Sequence, residues 1–408
     1  MELEPNVRKQ AFVYLLIATA LTAMAAGLSE GVFANFYYEV YSVTAAQRGF
    51  IEFPRELPGV IAVLVISFMS FLGEIKLAIV AQILSIIGLI LLGVFTPPFA
   101  IMLVFLFINS MGMHLYMPLK DSIGLNIIGG EKTGSRFGIM NSVRTGAGFV
   151  AGLAVFFGFR HGVFSFEHDI IINFLIGTLF FAAVVLILFK LRKLIGDPEI
   201  STGKNRLLFR KEYIFYYLLA SLHGAHKQIA LVFAPWVLIS ILMRGAEHMA
   251  FLGMIGMFLG IFFIPLAGKL TDRIGIKAMM YVEGIAFLLL YVLFGIFSAG
   301  LLSGTFAMVG VPVIIVYALF IVDRMTMQLG MIRALYLRSI AVDKAEITPT
   351  LSTGMSLDHV ISIICAFLGG LVWDAWGSQY VFYIAAALSV GNVIVAAKMP
   401  GKSDETTA

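Results

Sequence analysis

Charged and histidine side chains interrupt the long apolar runs of this 408-residue chain. An ionisable group in the hydrocarbon of a membrane costs about 2.5–3.5 kcal/mol, so it usually faces a water-filled cavity or a partner of opposite charge. Such residues indicate either a polar path for a solute or ion pairs between helices, and both interpretations stay open for each residue. Those nearest the centres of their runs are His114, Arg144, Lys227, Asp323 and Arg324.

Further ionisable groups lie in the same runs or in other apolar runs. The acids among them are candidate proton carriers if they face a polar cavity. His223 and His226 share one helical face, but no third ligand is evident, so neither a metal site nor a cofactor is predicted. The remaining members of this group are Glu30, Glu52, Arg55, Glu56, Lys120, Asp121, Glu283, Arg333, Asp358 and His359.

The elements that must position these side chains are membrane-spanning helices. The chain is 60% hydrophobic and 13% charged, whereas soluble domains are about 25% charged. Apolar stretches of about 20 or more residues, separated by glycine, proline or charge, predict an all-α membrane protein. The twelve predicted helices are 11–39, 48–72, 77–96, 99–128, 134–159, 169–194, 212–242, 248–268, 277–299, 306–337, 351–375 and 379–398.

The lysines and arginines outside these predicted helices are distributed unevenly between the two sides. Only Arg48, Arg160 and Arg244 fall outside when the N-terminus is assigned to the cytoplasm. Because cytoplasmic loops retain positive charge, this distribution predicts a multi-pass protein with both termini in the cytoplasm. The apolar run after Arg8 continues to about Tyr38, too far for a signal peptide, so it predicts a retained first helix. We expect the plasma membrane, which is the inner membrane of a bacterium.

The distribution of basic residues also limits the partners. They are dispersed along short loops rather than clustered, which favours topology over binding of nucleic acid. The lipid bilayer is therefore an expected partner and nucleic acid is not. The single cysteine, Cys365, excludes an internal disulfide.

The longest polar connection divides the chain into two halves. Residues 195–211 predict a cytoplasmic linker, rich in polar residues and flanked by apolar runs. It separates an N-terminal six-helix bundle from a C-terminal six-helix bundle. The predicted divisions are 1–194 for the first bundle, 195–211 for the linker, 212–398 for the second bundle and 399–408 for a cytoplasmic tail.

One polar loop resembles the signature of a known family. The sequence Gly268-Lys-Leu-Thr-Asp272-Arg273-Ile-Gly275-Ile-Lys277 lies between predicted helices 8 and 9. It resembles the signature loop of the major facilitator superfamily, a large group of secondary transporters, in which the loop lies between helices 2 and 3 and recurs between helices 8 and 9. The resemblance implies two pseudo-symmetric six-helix bundles and a gating latch on the cytoplasmic side. The latch residues would be Gly268, Asp272, Arg273 and Gly275.

This chain departs from the family pattern in two places. Ile276 stands where the family usually has a second basic residue. The matching loop of the first half reads Ser70-Phe-Leu-Gly73-Glu-Ile-Lys76, so Ser70 and Phe71 replace the Asp-Arg pair. The resemblance therefore covers the whole chain in topology and one of the two signature loops in sequence.

The resemblance also implies where a solute binds. In the family, helices 1, 4, 7 and 10 line a central cavity, and substrate binds near the midplane between the halves. Counting histidine as a cation, the candidates there comprise three cations and two acids, which favours an anionic or carboxylate-bearing solute. The first candidates on these helices are Glu30, His114, Lys227, Asp323 and Arg324.

Residue types suggest roles for these candidates. An arginine can hold a carboxylate through two parallel hydrogen bonds, and a lysine acts as a point charge. Asp323 and Arg324 are adjacent, about 100° apart on a helix, yet we expect both to reach the cavity rim because neither is tolerated against lipid. The substrate-binding candidates are Lys227, Arg324, Arg144 and His114. The proton-coupling candidates are Asp323, Glu30, Asp121 and Asp358.

The start of predicted helix 2 combines charges with two prolines in Glu52-Phe-Pro54-Arg55-Glu56-Leu-Pro58. Glu52 and Glu56 share a helical face with Arg55 beside them, and the prolines weaken the helix there. Two interpretations stay open. The segment is either an extracellular gate, with Glu52, Arg55 and Glu56 as gating residues, or a pre-bent helix end with its own ion pair.

Together these patterns predict a secondary transporter that alternates access to a central site and couples a small organic solute to protons. No Walker loop indicates an ATP-driven pump, and no catalytic motif indicates an enzyme. An efflux antiporter of drugs or metabolites is the alternative within transport, although predicted helix 5 lacks the proline of the family's antiporter motif. A receptor or a membrane enzyme on the same scaffold is the alternative of another class. A monomer is predicted.

Overall fold

The computed structural model describes residues 4–128, 133–168, 170–198, 208–343 and 346–399. Every regular element within these ranges is a helix. Twelve of the helices have the length of a membrane span. They are α1 Pro5–Tyr41, α2 Ala45–Phe68, α3 Glu74–Val94, α4 Phe99–Ile128, α5 Thr133–Arg160, α6 Ile172–Ile195, α7 Lys211–Ile241, α8 Ala246–Ile274, α9 Ile276–Leu302, α10 Val311–Ile340, α11 Ile347–Trp376 and α12 Ser378–Lys398.

Eleven of these twelve helices are also apolar enough to cross a membrane, within the part of the chain that the structure describes. The remaining helix is α2, whose 24 residues are long enough but whose first half contains the charged and proline-rich segment. Each of the twelve predicted spans overlaps one observed helix. The predicted all-α fold with twelve helices is confirmed.

Helix α2 begins three residues before its predicted start because its first turn is capped. The Thr44 backbone N–H donates to the Gln47 side chain at 3.0 Å, and the Gln47 N–H donates to the Thr44 hydroxyl at 3.2 Å. This reciprocal pair is a capping box, which fixes the first residue of a helix. The sequence Thr44-Ala-Ala-Gln47 carries that signal, which the hydropathy of the segment hides. As a result Arg48 lies inside the helix and not in an outside loop.

Three of the helices contain an irregular turn. Helix α1 contains a 3₁₀ turn at Glu30–Val32, and α10 contains one at Gln328–Gly330. Helix α7 contains two π-helical turns, Ile229–Phe233 and Val237–Ile241, on either side of Pro235. Because proline has no backbone N–H, Pro235 leaves the carbonyl four residues earlier without its usual helical hydrogen bond.

The chain forms two compact units. The first comprises Met1–Tyr41, Pro54–Gly203 and Ala246–Phe251, and the second comprises Ser42–Phe53, Lys204–Gly245 and Leu252–Ala408. In the first unit α1 packs against α5 and α6, and α3 packs against α4 and α6. In the second unit α7 packs against α11, and α9 packs against α12. The same helix pairs are thus used at corresponding positions of the two halves.

The last residues of the predicted linker are held by hydrogen bonds within the second unit. The Leu208 N–H donates to the Thr353 hydroxyl at 2.8 Å, and the Tyr217 hydroxyl donates to the Leu208 carbonyl at 2.6 Å. Arg210 forms an ion pair and a hydrogen bond with Glu346 in the connection before α11. Polar contacts therefore fasten residues 208–210 to α7 and α11.

The predicted divisions at 194, 211 and 398 stay predictions. Most of the predicted linker, residues 199–207, and the predicted tail from residue 400 onward lie outside the described residues.

Candidate functional site

An ion pair joins α7 to α11 in the second unit. The Lys227 Nζ lies 2.8 Å from Asp358 Oδ2, and each side chain is 15% exposed. One turn earlier the two helices touch, because a Cβ on Gly224 would lie 3.1 Å from the Asp358 Cα. The Ser362 hydroxyl donates to the Gly224 carbonyl at 3.0 Å, which fixes the crossing point. The structure thus brings one predicted substrate-binding residue and one predicted proton-coupling residue together.

Asp323 lies in a second polar cluster, packed between α7, α9, α10 and α12. Its side chain is 0% exposed, and Oδ1 accepts a hydrogen bond from the Tyr291 hydroxyl at 3.4 Å. The same hydroxyl lies 3.5 Å from the His226 carbonyl, and the His226 Nε2 lies 3.1 Å from the Ser389 hydroxyl. The other carboxyl oxygen, Oδ2, has no hydrogen-bond partner among the described residues.

Arg324, the neighbour of Asp323, points in a different direction. Its side chain is half-buried, and its guanidinium lies 5.2 Å from the centre of the Phe320 ring, one turn earlier on α10. The prediction that Asp323 and Arg324 both reach a cavity rim is wrong for Asp323. The 100° step between adjacent helical residues turns Asp323 toward Tyr291 on α9, where it is fully buried.

A third polar contact in this unit joins α9 to α10. Arg333 Nη1 lies 3.3 Å from Glu283 Oε1, with side-chain exposures of 12% and 1%. Both residues are evident in the sequence as charges within apolar runs, but nothing there indicates that they pair. Their pairing is an interhelical contact, one of the two interpretations left open for such groups.

The first unit holds the remaining midplane candidates more loosely. The His114 Nδ1 lies 2.9 Å from the Ser110 carbonyl, and the Ser110 hydroxyl donates to the Arg55 carbonyl at 2.5 Å. Helix α4 is thus bonded to the proline-containing part of α2. Glu30 and Arg144 are exposed.

Four further charged residues of this unit form two pairs between immediate neighbours. Asp121 lies 3.3 Å from the Lys120 Nζ and is 55% exposed. Arg55 lies 3.5 Å from Glu56 Oε1. The contact of Asp121 contributes little stability because its side chains are partly exposed, whereas Glu56 is buried.

Glu52 has a different neighbour from the one that its spacing suggested. Its side chain is 0% exposed and lies 2.7 Å from Arg48 Nη1, one turn earlier on α2. Arg48 Nη2 also reaches the Leu231 carbonyl of α7 at 3.5 Å. That carbonyl is the one four residues before Pro235, which has no N–H to donate to it. The sequence signal that identifies this pair is the opposite charge at positions 48 and 52, the helical i,i+4 spacing.

The end of α11 completes the contacts at the start of α2. The Asp374 carboxylate accepts hydrogen bonds from the backbone N–H groups of Ala45 at 3.2 Å and Ala46 at 3.0 Å. An acid at this position satisfies amides that have no partner within their own helix and interacts favourably with the helix dipole. Neither Arg48 nor Asp374 was predicted as a gating residue.

The signature loop between α8 and α9 has the turn that its glycines predict. Gly275 adopts a φ of +88°, a backbone conformation that favours glycine. A Cβ on Gly268 would lie 3.8 Å from the Met331 side chain, an ordinary van der Waals distance. Asp272 and Arg273 are exposed, and their role in a latch stays a prediction.

The corresponding loop of the first unit has the same turn without the Asp-Arg pair. Gly73 adopts a φ of +81°. The acid comes instead from Asp197, after α6, whose carboxylate accepts the Ile75 N–H at 2.8 Å and the Lys76 N–H at 3.3 Å. Arg192 pairs with Asp197 at 3.2 Å. The two loops therefore share their geometry but differ in the source of the charge.

Comparisons with known proteins agree with this architecture. The nucleoside transporter NupG has a TM-score of 0.72 at 16% identity, covering 98% of this chain and 99% of that chain. A POT family transporter in complex with a thioalcohol-conjugated peptide has a TM-score of 0.75 at 12% identity, covering 98% and 97%. A bacterial homologue of the human lysosomal transporter Spinster has a TM-score of 0.65 at 14% identity, covering 97% and 96%. No curated protein matches the sequence.

The identities to these solved structures are low, so their likeness establishes the fold. The family follows from the sequence itself, because the model described as Major Facilitator Superfamily matches residues 15–342, more than half of the chain. With its membrane-length helices, the protein is an integral multi-pass membrane protein. The chain belongs to the Major Facilitator Superfamily.

Proposed function

We propose that this protein is a proton-coupled secondary transporter of a small organic solute that bears a carboxylate or another anionic group. The observation that carries the proposal is Asp323, a carboxyl that is 0% exposed in the middle of α10. Such a group inside a membrane helix is costly to keep unless it serves a function or has a partner. Asp323 forms no ion pair within 4 Å among the described residues, and the Tyr291 hydroxyl is 3.4 Å away.

The burial of Asp323 supports a role as proton carrier. A buried carboxylate without an ion pair is far more costly than a neutral carboxyl, so proton binding stabilises this site while it is closed. A change that admits water or solute removes that penalty and lets the proton leave. Glu30, Asp121 and Asp358 are the alternatives. Asp121 is the least suited of them because it is 55% exposed.

The ion pair between Lys227 and Asp358 supports an anionic solute. A carboxylate on the solute would compete with Asp358 for the Lys227 ammonium group, which lies 2.8 Å from Asp358 Oδ2. Asp358 Oδ1 is buried and already lacks a hydrogen-bond partner among the described residues. Losing Lys227 would therefore leave Asp358 as an unpaired buried carboxylate and favour its protonation. Solute binding and proton binding would then be linked through one exchange of partners.

The other candidates complete a proposed site. Arg324 and Arg144 would bind the anionic group through two parallel hydrogen bonds, and His114 would contribute a further polar contact. The POT family neighbours include complexes with a peptide and with 5-aminolevulinic acid. 5-Aminolevulinic acid is a carboxylic acid, so amino acid derivatives and peptides are the first solutes to test.

The cellular setting belongs to the same proposal. We infer a plasma membrane location with both termini in the cytoplasm, from the distribution of lysine and arginine. Gating would involve the signature loop, with Gly268, Asp272, Arg273 and Gly275, and the segment with Glu52, Arg55 and Glu56. A monomer is sufficient for this mechanism.

The experiment uses the full-length protein in two stages. A thermal-shift screen against dipeptides, amino acid derivatives and nucleosides identifies a solute, because a ligand stabilises the folded state by mass action. Wild-type protein and Asp323→Asn are then compared in liposomes for accumulation driven by a proton gradient and for solute exchange. We expect Asp323→Asn to lose accumulation and to retain exchange, since exchange does not require release of the proton. Accumulation at the wild-type level in Asp323→Asn would move the coupling role to another acid.

A further inference from the structure

A cavity of about 780 Å³ lies at one end of the second unit, where α8 ends, α9 begins and α10 ends. The volume is within the roughly 300–1,000 Å³ that ligand pockets commonly enclose. Met399, the residue after α12, forms part of the wall. None of the residues of the proposed solute site lines this cavity.

Two cations and one acid line the cavity: Lys277, Arg338 and Asp272. The Lys277 ammonium donates to the Met399 carbonyl at 2.7 Å and lies 3.4 Å from the Ala397 carbonyl. These contacts hold Lys277 at the wall, and an ammonium group with three donors still has one for a ligand. Arg338 is exposed and can present two parallel N–H groups to a phosphate. The net charge of these three residues is one positive, which matches a monoanion.

The rest of the wall is largely apolar. Ile274, Leu335 and Ile340 contribute hydrocarbon, and Tyr281 and Tyr336 contribute rings with a polar end. Tyrosine is enriched where headgroups meet acyl chains. The ends of membrane-length helices form the wall, so the cavity lies at the depth where lipid headgroups meet acyl chains. It is on the side that carries most of the lysines and arginines. A ligand with an anionic head and an apolar body would match both parts of the wall.

The other half of the chain offers an internal comparison. At the start of α3, the corresponding helix of the first unit, the Asp197 carboxylate binds the first backbone N–H groups. At the start of α9 no side chain among the described residues caps those N–H groups. Gly275 and Ile276 line the cavity there. In the first half the carboxylate of Asp197 supplies the negative charge at the helix start. In the second half an anionic ligand of the cavity can supply it at the start of α9.

We propose that this cavity binds the headgroup of an anionic phospholipid. The phosphate diester, a monoanion, contacts Lys277 and Arg338, and the first part of the acyl chains covers the apolar wall. Free phosphate shares the anionic chemistry, but it lacks the apolar part that would cover the rest of the wall. Basic pockets between membrane helices are known to bind lipid headgroups in this way. The site is independent of the proposed proton coupling.

The test measures binding to the full-length protein in a neutral detergent. Phosphatidylglycerol, phosphatidylcholine or inorganic phosphate is added at matched ionic strength, and the unfolding temperature and the bound lipid in native mass spectra are recorded. We expect phosphatidylglycerol to raise the unfolding temperature in a saturable way and the other two additives to have little effect. Arg338→Gln should weaken the apparent affinity for phosphatidylglycerol by roughly five- to tenfold, because one basic residue near a lipid headgroup contributes on that order.

Lys190→Gln is the matched control, since it removes an exposed positive charge near the end of α6 from a residue that does not line the cavity. Arg338→Lys should keep an intermediate affinity because it retains the charge and loses the paired N–H groups. Equal stabilisation by phosphatidylglycerol and phosphatidylcholine would overturn the proposal, as would equal losses in Arg338→Gln and Lys190→Gln. Stabilisation by inorganic phosphate that disappears in Arg338→Gln would show a site for a soluble anion and overturn the lipid assignment.

Discussion

The ion pair between Lys227 and Asp358 allows a quantitative test of the second unit. At 2.8 Å two unit charges attract with about 6 kcal/mol at an effective dielectric constant of about 20. Desolvation of both groups offsets much of that attraction. Removing one partner of a buried pair costs about 3–5 kcal/mol, because the other charge is left buried and unpaired. Since each side chain is 15% exposed, water relieves part of the penalty, and we expect a loss of about 2–3 kcal/mol.

The perturbations are Lys227→Met and Asp358→Asn, which keep the shape of each side chain and remove its charge. Either change alone should lower the free energy of unfolding by the amount above, a fall of roughly 2–4 °C in unfolding temperature for a chain of this size. The double variant should lose about as much as either single variant and not the sum of the two, which corresponds to a coupling free energy of about 2 kcal/mol. The measurement is unfolding of all four proteins in one detergent and buffer, followed by tryptophan fluorescence.

Lys190→Met serves as the control, because Lys190 is exposed and its loss should change the unfolding temperature little. If the two single losses add within about 0.5 kcal/mol in the double variant, the side chains do not interact. The proposed exchange of partners at Lys227 would then have no physical basis.

Two further predictions concern other contacts. Glu52→Gln should lower the unfolding temperature by more than Glu167→Gln, because it removes the carboxylate that pairs with the buried Arg48, whereas Glu167 is exposed. Equal effects of the two changes would contradict a stabilising role of the Arg48–Glu52 pair. The hydrogen bond from Arg210 lowers the pKa of Glu346 below its ordinary 4.5. Ionised Glu346 therefore stabilises the folded state above pH 4.5, and this contribution is lost as the pH falls through the lowered pKa. Unfolding of wild type and Glu346→Gln from neutral to acidic pH should therefore show a difference at neutral pH that shrinks in acid, and a constant difference would refute it.

The membrane fold was predictable because length and hydropathy act along the chain. Each apolar stretch of about 20 residues can satisfy its backbone only as a helix, so the twelve spans follow without knowledge of contacts. One difference in detail is the start of α2, which the hydropathy placed at residue 48 because Arg48 and Glu52 are charged. The i,i+4 pair and the capping box at Thr44 are local signals that correct it.

The partners of the charged groups were not predictable in the same way. Lys227 and Asp358 are separated by 131 residues, and only the crossing of α7 and α11 at Gly224 brings them together. The direction of Asp323 depends on the rotation of α10 against α9, which composition does not determine. Sequence therefore identified which groups are costly in a membrane, and the packing of the helices decides which of them meet.

The most direct test of proton coupling is to follow protons and solute together. Liposomes containing the wild-type protein and an internal pH-sensitive dye receive an inward solute gradient with no initial pH difference. We predict that the solute changes the internal pH in wild type, whereas Asp323→Asn exchanges labelled solute without a pH change. An equal pH change in both proteins would contradict the assignment of the proton to Asp323, and no pH change in wild type during net solute uptake would contradict proton coupling itself.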